Sequence, residues 1–297
     1  MAIEKVDAEY RLLLTQKEPF LWLDRCKVYV KGGLVQYSKR QEDGTVIHIP
    51  IPAGSTLLLI LGPGSSITHE AAVVCGDQRI SIAMTKGEVF VHSVWNNHLY
   101  PDPQKLVRQA SLHGNDESKL EYAKTFLRLK LLLEGKEDKV DSIAELDSIG
   151  KLLSYEAHEA KRTYADLARR REVAFKRDKS SQEDVNGRIT LLNNALYSIC
   201  TSVILAYGQH PSMGFIHGKT RRGGLSFDLA DVFKFRLSLL PSFSFAGNDN
   251  RQLIKHLASQ LKKDGGKVLK NMLTILAYVN DELTEEELLV KAIAESW

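Results

Sequence analysis

Cysteine is scarce in this chain of 297 residues, and so is any long uninterrupted apolar run. The three cysteines, Cys26, Cys75 and Cys200, are odd in number and far apart, which excludes a disulfide framework and a zinc-site spacing. They predict buried thiols in a reducing compartment, and we expect the cytoplasm. The N-terminal residues carry charges where an export signal needs an apolar core, and polar residues interrupt the apolar stretch 191–207. We therefore expect neither export nor a membrane span.

Excess charge of one sign is also lacking, because 40 basic and 37 acidic side chains leave a formal charge of +3. That sum hides an uneven distribution. Residues 1–100 hold ten charges of each sign, residues 158–222 hold twelve basic and six acidic side chains, and residues 281–297 hold six acidic and one basic. Basic clusters of this kind bind phosphates in nucleic-acid-binding proteins, although a solvated helix face is the competing interpretation.

Two kinds of apolar pattern divide the chain. β-Branched and aromatic runs separated by turn residues predict a small antiparallel sheet, with strands at 27–30, 34–37, 45–49, 56–61 and 88–92. From residue 104 onward apolar residues recur every three or four positions, which predicts helices. The predicted fold class is α+β, with a β-rich N-terminal domain joined by a linker to an all-α C-terminal domain.

Turn residues set the predicted boundaries. Pro101 and Pro103 disfavour helix before each of them, so we predict a β-rich domain at 1–97, a linker at 98–112 and a helical domain at 113–297. The sequence Asp264-Gly265-Gly266 predicts a break between two helices near the end of the chain.

Candidate chemistry lies in the helical part. His217 ends an apolar run, and Asp228 and Asp231 follow at a predicted helix start, on one helix face. Two carboxylates beside an imidazole suit Mg²⁺ or Mn²⁺, and the imidazole favours Mn²⁺. The alternative is structural: Asp228 caps the helix, Asp231 interacts with its dipole and His217 is a core residue. Glu156 and Glu159 are candidates for a further acidic ligand.

Three motifs in order carry a resemblance to a known family. They are Gly62-Pro63-Gly64-Ser65-Ser66-Ile67-Thr68-His69-Glu70, the pair Glu156 and Tyr164, and the stretch from Gly208, Pro211 and Gly214-Phe215-Ile216-His217 to Leu225-Ser226-Phe227-Asp228-Leu229-Ala230-Asp231. Over its whole length the chain resembles the CRISPR-associated adaptation integrases, metal-dependent DNA endonucleases and integrases that capture new spacers.

The resemblance implies a catalytic site. It makes Glu156, His217 and Asp231 the ligands of Mg²⁺ or Mn²⁺, with Asp228 as an assisting carboxylate. The implied reaction is transesterification, in which the 3′-hydroxyl of a captured DNA fragment attacks a phosphodiester at the edge of a CRISPR repeat. Double-stranded and branched DNA are the implied substrates. Residues in and near the basic cluster are the candidates for DNA contacts: Lys161, Arg162, Tyr164, Arg169, Arg221 and Arg222.

The resemblance also implies partners. The family works as two homodimers bridged by a small ferredoxin-like Cas partner, which in the F subtype is fused to a helicase-nuclease. The motifs look most like the E or F subtypes of type I systems, and we favour F. The helix after Asp231 lacks a proline that many relatives have, and the loop 219–224 is unusually basic, but neither departure affects a ligand position. A non-catalytic nucleic-acid-binding scaffold and a mobile-element transposase with the same domain remain alternatives.

Overall fold

The computed structural model describes residues 19–41, 43–86, 90–95, 103–179, 181, 184–217, 223–245 and 249–294. Strands dominate the first part and helices the second, which confirms the predicted α+β fold class. The described strands are β1 (Leu21–Leu23), β2 (Cys26–Lys31), β3 (Leu34–Arg40), β4 (Val46–Pro50), β5 (Leu58–Leu61), β6 (Ser66–Ile67), β7 (Ser81–Lys86) and β8 (Phe90–Trp95). A helix, α1 (His69–Asp77), lies between β6 and β7, and the side chain of its N-cap Thr68 accepts a hydrogen bond from the Ala71 amide.

The strands form two four-stranded sheets, in the orders β1-β5-β7-β8 and β4-β3-β2-β6. The pairs β2-β3, β3-β4 and β7-β8 are antiparallel, whereas β1-β5, β5-β7 and β2-β6 are parallel. The prediction of one small antiparallel sheet is therefore wrong. Parallel strands are joined by crossovers rather than tight turns, so the local turn signals on which the prediction rested do not report them.

Strand β5 explains why one predicted strand is a continuous apolar run. All four of its residues are buried. Leu58 and Ile60 pack in the core shared with the helices, while Leu59 and Leu61 pack with the other sheet and α1. Because successive side chains of a strand point to opposite faces, a strand covered on both sides needs apolar residues at every position.

The described helices of the second part are α2 (Pro103–Gly114), α3 (Asp116–Leu133), α4 (Ile149–Arg170), α5 (Asp184–Tyr207), α6 (Gly224–Lys234), α7 (Leu240–Ser244), α8 (Asn250–Val279) and α9 (Glu285–Ala294). A π-helical segment, Phe235–Leu239, joins α6 to α7. Residues 103–112 of the predicted linker are thus helical. Pro103 is the first residue of α2, where a missing N–H costs no helical hydrogen bond. The domain boundaries themselves stay a prediction.

Helix α5 is the centre of the helical core. It runs for 24 residues, longer than the apolar stretch considered in the sequence, and by length and composition it is the one helix of the described residues that could cross a membrane. In this protein 72% of its most apolar 18-residue window is buried, as expected for a core helix. Helices α6 and α8 pack against it, and the sheet containing β8 contacts it as well.

The predicted break at Asp264-Gly265-Gly266 is wrong, because α8 continues through these residues. Asp264 and Gly266 have φ angles of 52° and 76° within the helix, so the backbone is distorted there. A glycine in a helix costs only about 1 kcal/mol. Burial of Leu261 before the distortion and Val268 after it holds the two halves in one element.

Candidate metal centre

Glu156 is presented by helix α4, which begins after the N-cap Ser148, whose hydroxyl accepts a hydrogen bond from the Lys151 amide. Leu152, one turn before Glu156, is fully buried, and side chains four apart share a helix face. The carboxylate of Glu156 therefore points inward, with 12% of the side chain exposed. Most acidic side chains on helices face solvent, so this degree of burial is unusual for a glutamate.

His217 is presented by the loop that follows α5. Phe215 and Ile216 precede it and are buried in the helical core, where the Phe215 ring stacks on Tyr122 at a centroid distance of 5.1 Å. This packing fixes the end of the loop, and His217 itself is 5% exposed.

Asp228 binds this loop from the opposite side. Helix α6 begins at Gly224, after Gly223 in a left-handed conformation with a φ of 82°, so Asp228 is well inside the helix and does not cap it. Its carboxylate accepts hydrogen bonds from the backbone amides of Phe215, Ile216 and His217 at 2.6, 3.1 and 3.1 Å.

A fourth hydrogen bond joins Asp228 to the His217 ring, with Nδ1 2.8 Å from Oδ1. A carboxylate accepts, so Nδ1 of His217 donates this hydrogen bond to Asp228. Asp228 therefore orients the imidazole from behind, the role that carboxylates play toward metal-binding histidines in many proteins.

The Nε2 side of the buried His217 ring faces the other predicted ligands. Nε2 lies 3.7 Å from Oε2 of Glu156. One ligand atom from each of Glu156, His217 and Asp231 lies within 4.8 Å of the other two. Two carboxylates and an imidazole that converge at this distance fit a divalent cation of the Mg²⁺ or Mn²⁺ type. The three residues implied as ligands by the resemblance are thus brought together.

Glu159, the other acid considered in the sequence, is not part of this group. It is buried one turn beyond Glu156, and its carboxylate is 2.6 Å from the Lys139 ammonium and 3.1 Å from the Arg162 guanidinium. Burial raises the pKa of Glu159, but Lys139 and Lys136 outweigh it, and the net shift is downward. Glu159 is therefore a structural ion-pair partner.

Two lysines that the sequence analysis missed balance the charge of the site. The Lys130 ammonium of α3 lies 2.7 Å from Oε1 of Glu156, and Lys234 pairs with Asp231 one turn along α6. Burial opposes ionisation of Glu156, but the attraction of Lys130 outweighs it and holds the pKa of Glu156 at about 2. The Glu156 carboxylate is thus available as an anion. Asp231 and Lys234 are three residues apart in the sequence, a spacing that could have predicted their pairing. Lys130 reaches Glu156 from another helix, so no local sequence pattern predicts this contact.

The structure also locates the candidate DNA-binding residues. Lys161, Arg162 and Arg169 are exposed on α4, where Arg162 pairs with Glu159 and Arg169 with Asp166. Arg221 and Arg222 lie outside the described residues.

Tyr164 packs its ring against Phe175, with a centroid distance of 5.6 Å, inside a small apolar cluster. This contact gives Tyr164 a role in packing. Its DNA contact stays a prediction.

The protein is an α+β protein, in which two mixed sheets are followed by a helical bundle that holds a buried group of carboxylates and an imidazole. Comparison with known families makes the assignment specific, because the family model described as CRISPR associated protein Cas1 matches residues 21–238. The chain belongs to the Cas1 family. The resemblance drawn from its motifs is confirmed at the level of the family.

Curated relatives agree over most of the chain. The match to CRISPR-associated endonuclease Cas1 2 of Chlorobaculum tepidum is 24% identical and covers 87% of this chain and 86% of the relative. The match to CRISPR-associated endonuclease Cas1 of Geobacter sulfurreducens is 30% identical and covers 70% and 67%. That of Pseudomonas aeruginosa is 26% identical and covers 80% and 85%.

Solved structures share the fold. A structure described as a TtCas1-DNA complex has a TM-score of 0.68 at 18% identity and covers 89% of this chain and 92% of its own. A casposase bound to integration product has a TM-score of 0.76 at 13% identity, with coverages of 89% and 91%. At these identities the likeness concerns the fold alone.

Proposed function

We propose that this chain is a divalent-metal-dependent DNA endonuclease and integrase that inserts captured DNA fragments into a CRISPR array. The observation that carries the proposal is the convergence of Glu156, His217 and Asp231 within 4.8 Å in a member of the Cas1 family. The names of the curated relatives as CRISPR-associated endonucleases support the nuclease activity. The DNA complex and the casposase bound to integration product support action on DNA.

In this mechanism Glu156, His217 and Asp231 would hold Mg²⁺ or Mn²⁺, which when bound would activate the attacking oxygen and offset charge growing on the phosphate. Asp228 accepts the hydrogen bond from Nδ1 of His217 and so orients Nε2 toward the other two ligands. The attacking 3′-hydroxyl forms a new P–O bond and gives its proton to water, while the P–O bond to the 3′-oxygen at the edge of the repeat breaks and that oxygen takes up a proton from water. Water in place of the hydroxyl gives cleavage. Phosphoryl transfer of this kind needs positioning and charge stabilisation rather than a protein nucleophile.

Lys130 and Lys234 add to this electrostatic environment. They offset the two carboxylate charges, so a bound divalent cation makes the whole group net positive. A net positive and largely buried site favours the phosphodiester and the extra negative charge of its transition state.

The same proposal includes the partners. DNA would lie along the exposed basic side chains of α4, including Lys161, Arg162 and Arg169, and reach the loop with Arg221 and Arg222. Two homodimers bridged by a small ferredoxin-like Cas partner, fused to the helicase-nuclease if the chain is of the F subtype, follow from the resemblance.

The test is strand transfer and cleavage of a branched DNA in Mn²⁺, with and without EDTA. The wild-type chain should be active in Mn²⁺ and inactive in EDTA. His217→Ala and Asp231→Ala should abolish both reactions while DNA binding is retained. Asp166→Ala, which removes an exposed acid from the helix that carries Glu156, is the control and should keep full activity.

Full activity in either ligand variant would contradict the site. An inactive wild-type chain that binds DNA tightly would instead indicate the non-catalytic scaffold.

A further inference from the structure

Helix α2, most of which was predicted as linker, makes direct hydrogen bonds to the loop that carries His217. Gln109 is fully buried, and its Nε2 donates to the backbone carbonyls of His210 and Met213 at 2.8 and 3.0 Å. Its Oε1 accepts from the amide of His210 at 2.7 Å. One buried glutamine side chain thus makes three hydrogen bonds to backbone groups of the loop.

His113 continues this contact one turn further along α2. Its Nδ1 donates to the carbonyl of Gly214 at 2.8 Å. Residues four apart share a helix face, so Gln109 and His113 present one polar edge to the loop. From Phe215 onward the same loop is held by Asp228, which accepts from three consecutive amides.

Helix α6 contacts the same loop at Pro211 and Gly214. The Leu225 amide at the start of α6 donates to the carbonyl of Pro211 at 2.8 Å. A Cβ placed on Gly214 would lie 2.3 Å from the carbonyl carbon of Gly224 and 2.6 Å from Oδ2 of Asp228. The loop 210–217 is therefore contacted by two helices. Helix α2 hydrogen-bonds to it through Gln109 and His113, and α6 does so through Asp228.

We propose that Gln109 is a positioning residue for the metal centre. Together with His113 it fixes the backbone of residues 210–214. Asp228 can then accept hydrogen bonds from the next three backbone amides and orient the His217 ring toward the other two ligands. Asp228 orients the imidazole of His217, and α2 fixes the backbone segment that precedes this residue. This inference rests on the proposed metal-binding function of the site.

The experiment is Mn²⁺ binding by isothermal titration calorimetry with the full chain, well below the unfolding temperature. Gln109→Leu removes all three hydrogen bonds at similar volume and should weaken Mn²⁺ binding by about tenfold, as loss of a partner that orients a metal ligand does. Leu59→Ala, a cavity in the core between the sheets, is the control for lost stability and should bind Mn²⁺ as the wild type does. If Gln109→Leu does not fold, His113→Leu removes the single bond to Gly214 and should weaken binding in the same direction.

A double-mutant cycle separates positioning from general loosening. In a His217→Ala background, Gln109→Leu should cause no further loss of Mn²⁺ affinity, because the residue through which it acts is gone. Additive losses would overturn the proposal, and so would an unchanged affinity in Gln109→Leu. A wild-type chain that binds no Mn²⁺ would instead contradict the proposed function.

Discussion

The imidazole of His217 donates a hydrogen bond to the carboxylate of Asp228, with Nδ1 2.8 Å from Oδ1. The side chain of Asp228 has no exposed surface and also accepts hydrogen bonds from three consecutive backbone amides of the loop, including that of His217. One carboxylate thus determines both the path of the loop and the direction in which the ring points.

Asp228→Asn should lower Mn²⁺-dependent strand transfer by about tenfold to a hundredfold, without abolishing it. Asparagine keeps the size of the side chain but replaces one accepting oxygen with an amide nitrogen that faces backbone N–H groups. The loop and the ring lose orientation, while the three proposed ligands remain. The measurement is the single-turnover rate beside that of Asp231→Asn, which should be undetectable. Equal and complete loss in both variants would make Asp228 a ligand, and an unchanged rate would leave the hydrogen bond without a role in activity.

Spacing alone predicts the residue types of this site, whereas the separate roles of Asp228 and Asp231 were implied only by the family resemblance. From spacing, Asp228 could cap the helix, Asp231 could interact with its dipole, or both could bind a metal. The difference arises because Asp228 meets amides from a loop eleven to thirteen residues earlier in the chain. Such contacts depend on how α6 packs on the end of α5, and no local pattern contains that information.

The fold, too, is only partly predictable from the sequence. Individual strands and helices follow from local periodicity and turn residues, and most lie where the sequence predicts them. The pairing of β1 with β5 joins residues about forty apart, and the role of Pro103 depends on whether a helix begins or ends at it. Both are decided by packing, which is why the sheet order and the extent of the linker were not predictable.

Lys130→Met should destabilise the metal-free protein and make it respond more strongly to Mn²⁺. Removing the ammonium leaves the largely buried Glu156 carboxylate without its cation, a loss of up to about 3 kcal/mol. Bound Mn²⁺ supplies the missing charge. The rise in melting temperature on adding Mn²⁺, measured by calorimetry, should therefore be larger in Lys130→Met than in the wild type.

Lys139→Met is the matched control for this prediction, because it removes a lysine from a buried glutamate, Glu159, on the next turn of α4. It should lose stability that Mn²⁺ does not restore. An equal response to Mn²⁺ in wild type and Lys130→Met would mean that the cation does not bind at Glu156.

Gly214→Ala should disturb the site because the added methyl group has no room. The added methyl group would overlap the backbone at Gly224 and Leu225 and the carboxylate of Asp228. Overpacking of this kind costs about 1 to 3 kcal/mol, and here it also displaces the loop that carries His217. We expect a lower melting temperature together with weaker Mn²⁺ binding. Gly150→Ala on α4, where nothing lies within 4 Å, should instead gain up to about 1 kcal/mol and leave Mn²⁺ binding unchanged. Normal Mn²⁺ affinity in folded Gly214→Ala would contradict the tight packing of the loop.

Arg162→Ala combined with Arg169→Ala should flatten the salt dependence of DNA binding. The two side chains are 60% and 79% exposed and lie seven residues apart on α4. The exposed pair of Arg169 with Asp166 contributes little to stability, and the buried Glu159 keeps its ion pair with Lys139 when Arg162 is removed. If each contacts a phosphate, the slope of log affinity against log salt concentration should fall by about 2. Lys151→Ala, an exposed and ion-paired lysine near the start of the same helix, is the control and should leave the slope unchanged. An unchanged slope in the double variant would show that this face of α4 is merely solvated and would leave the loop with Arg221 and Arg222 as the candidate path of the DNA.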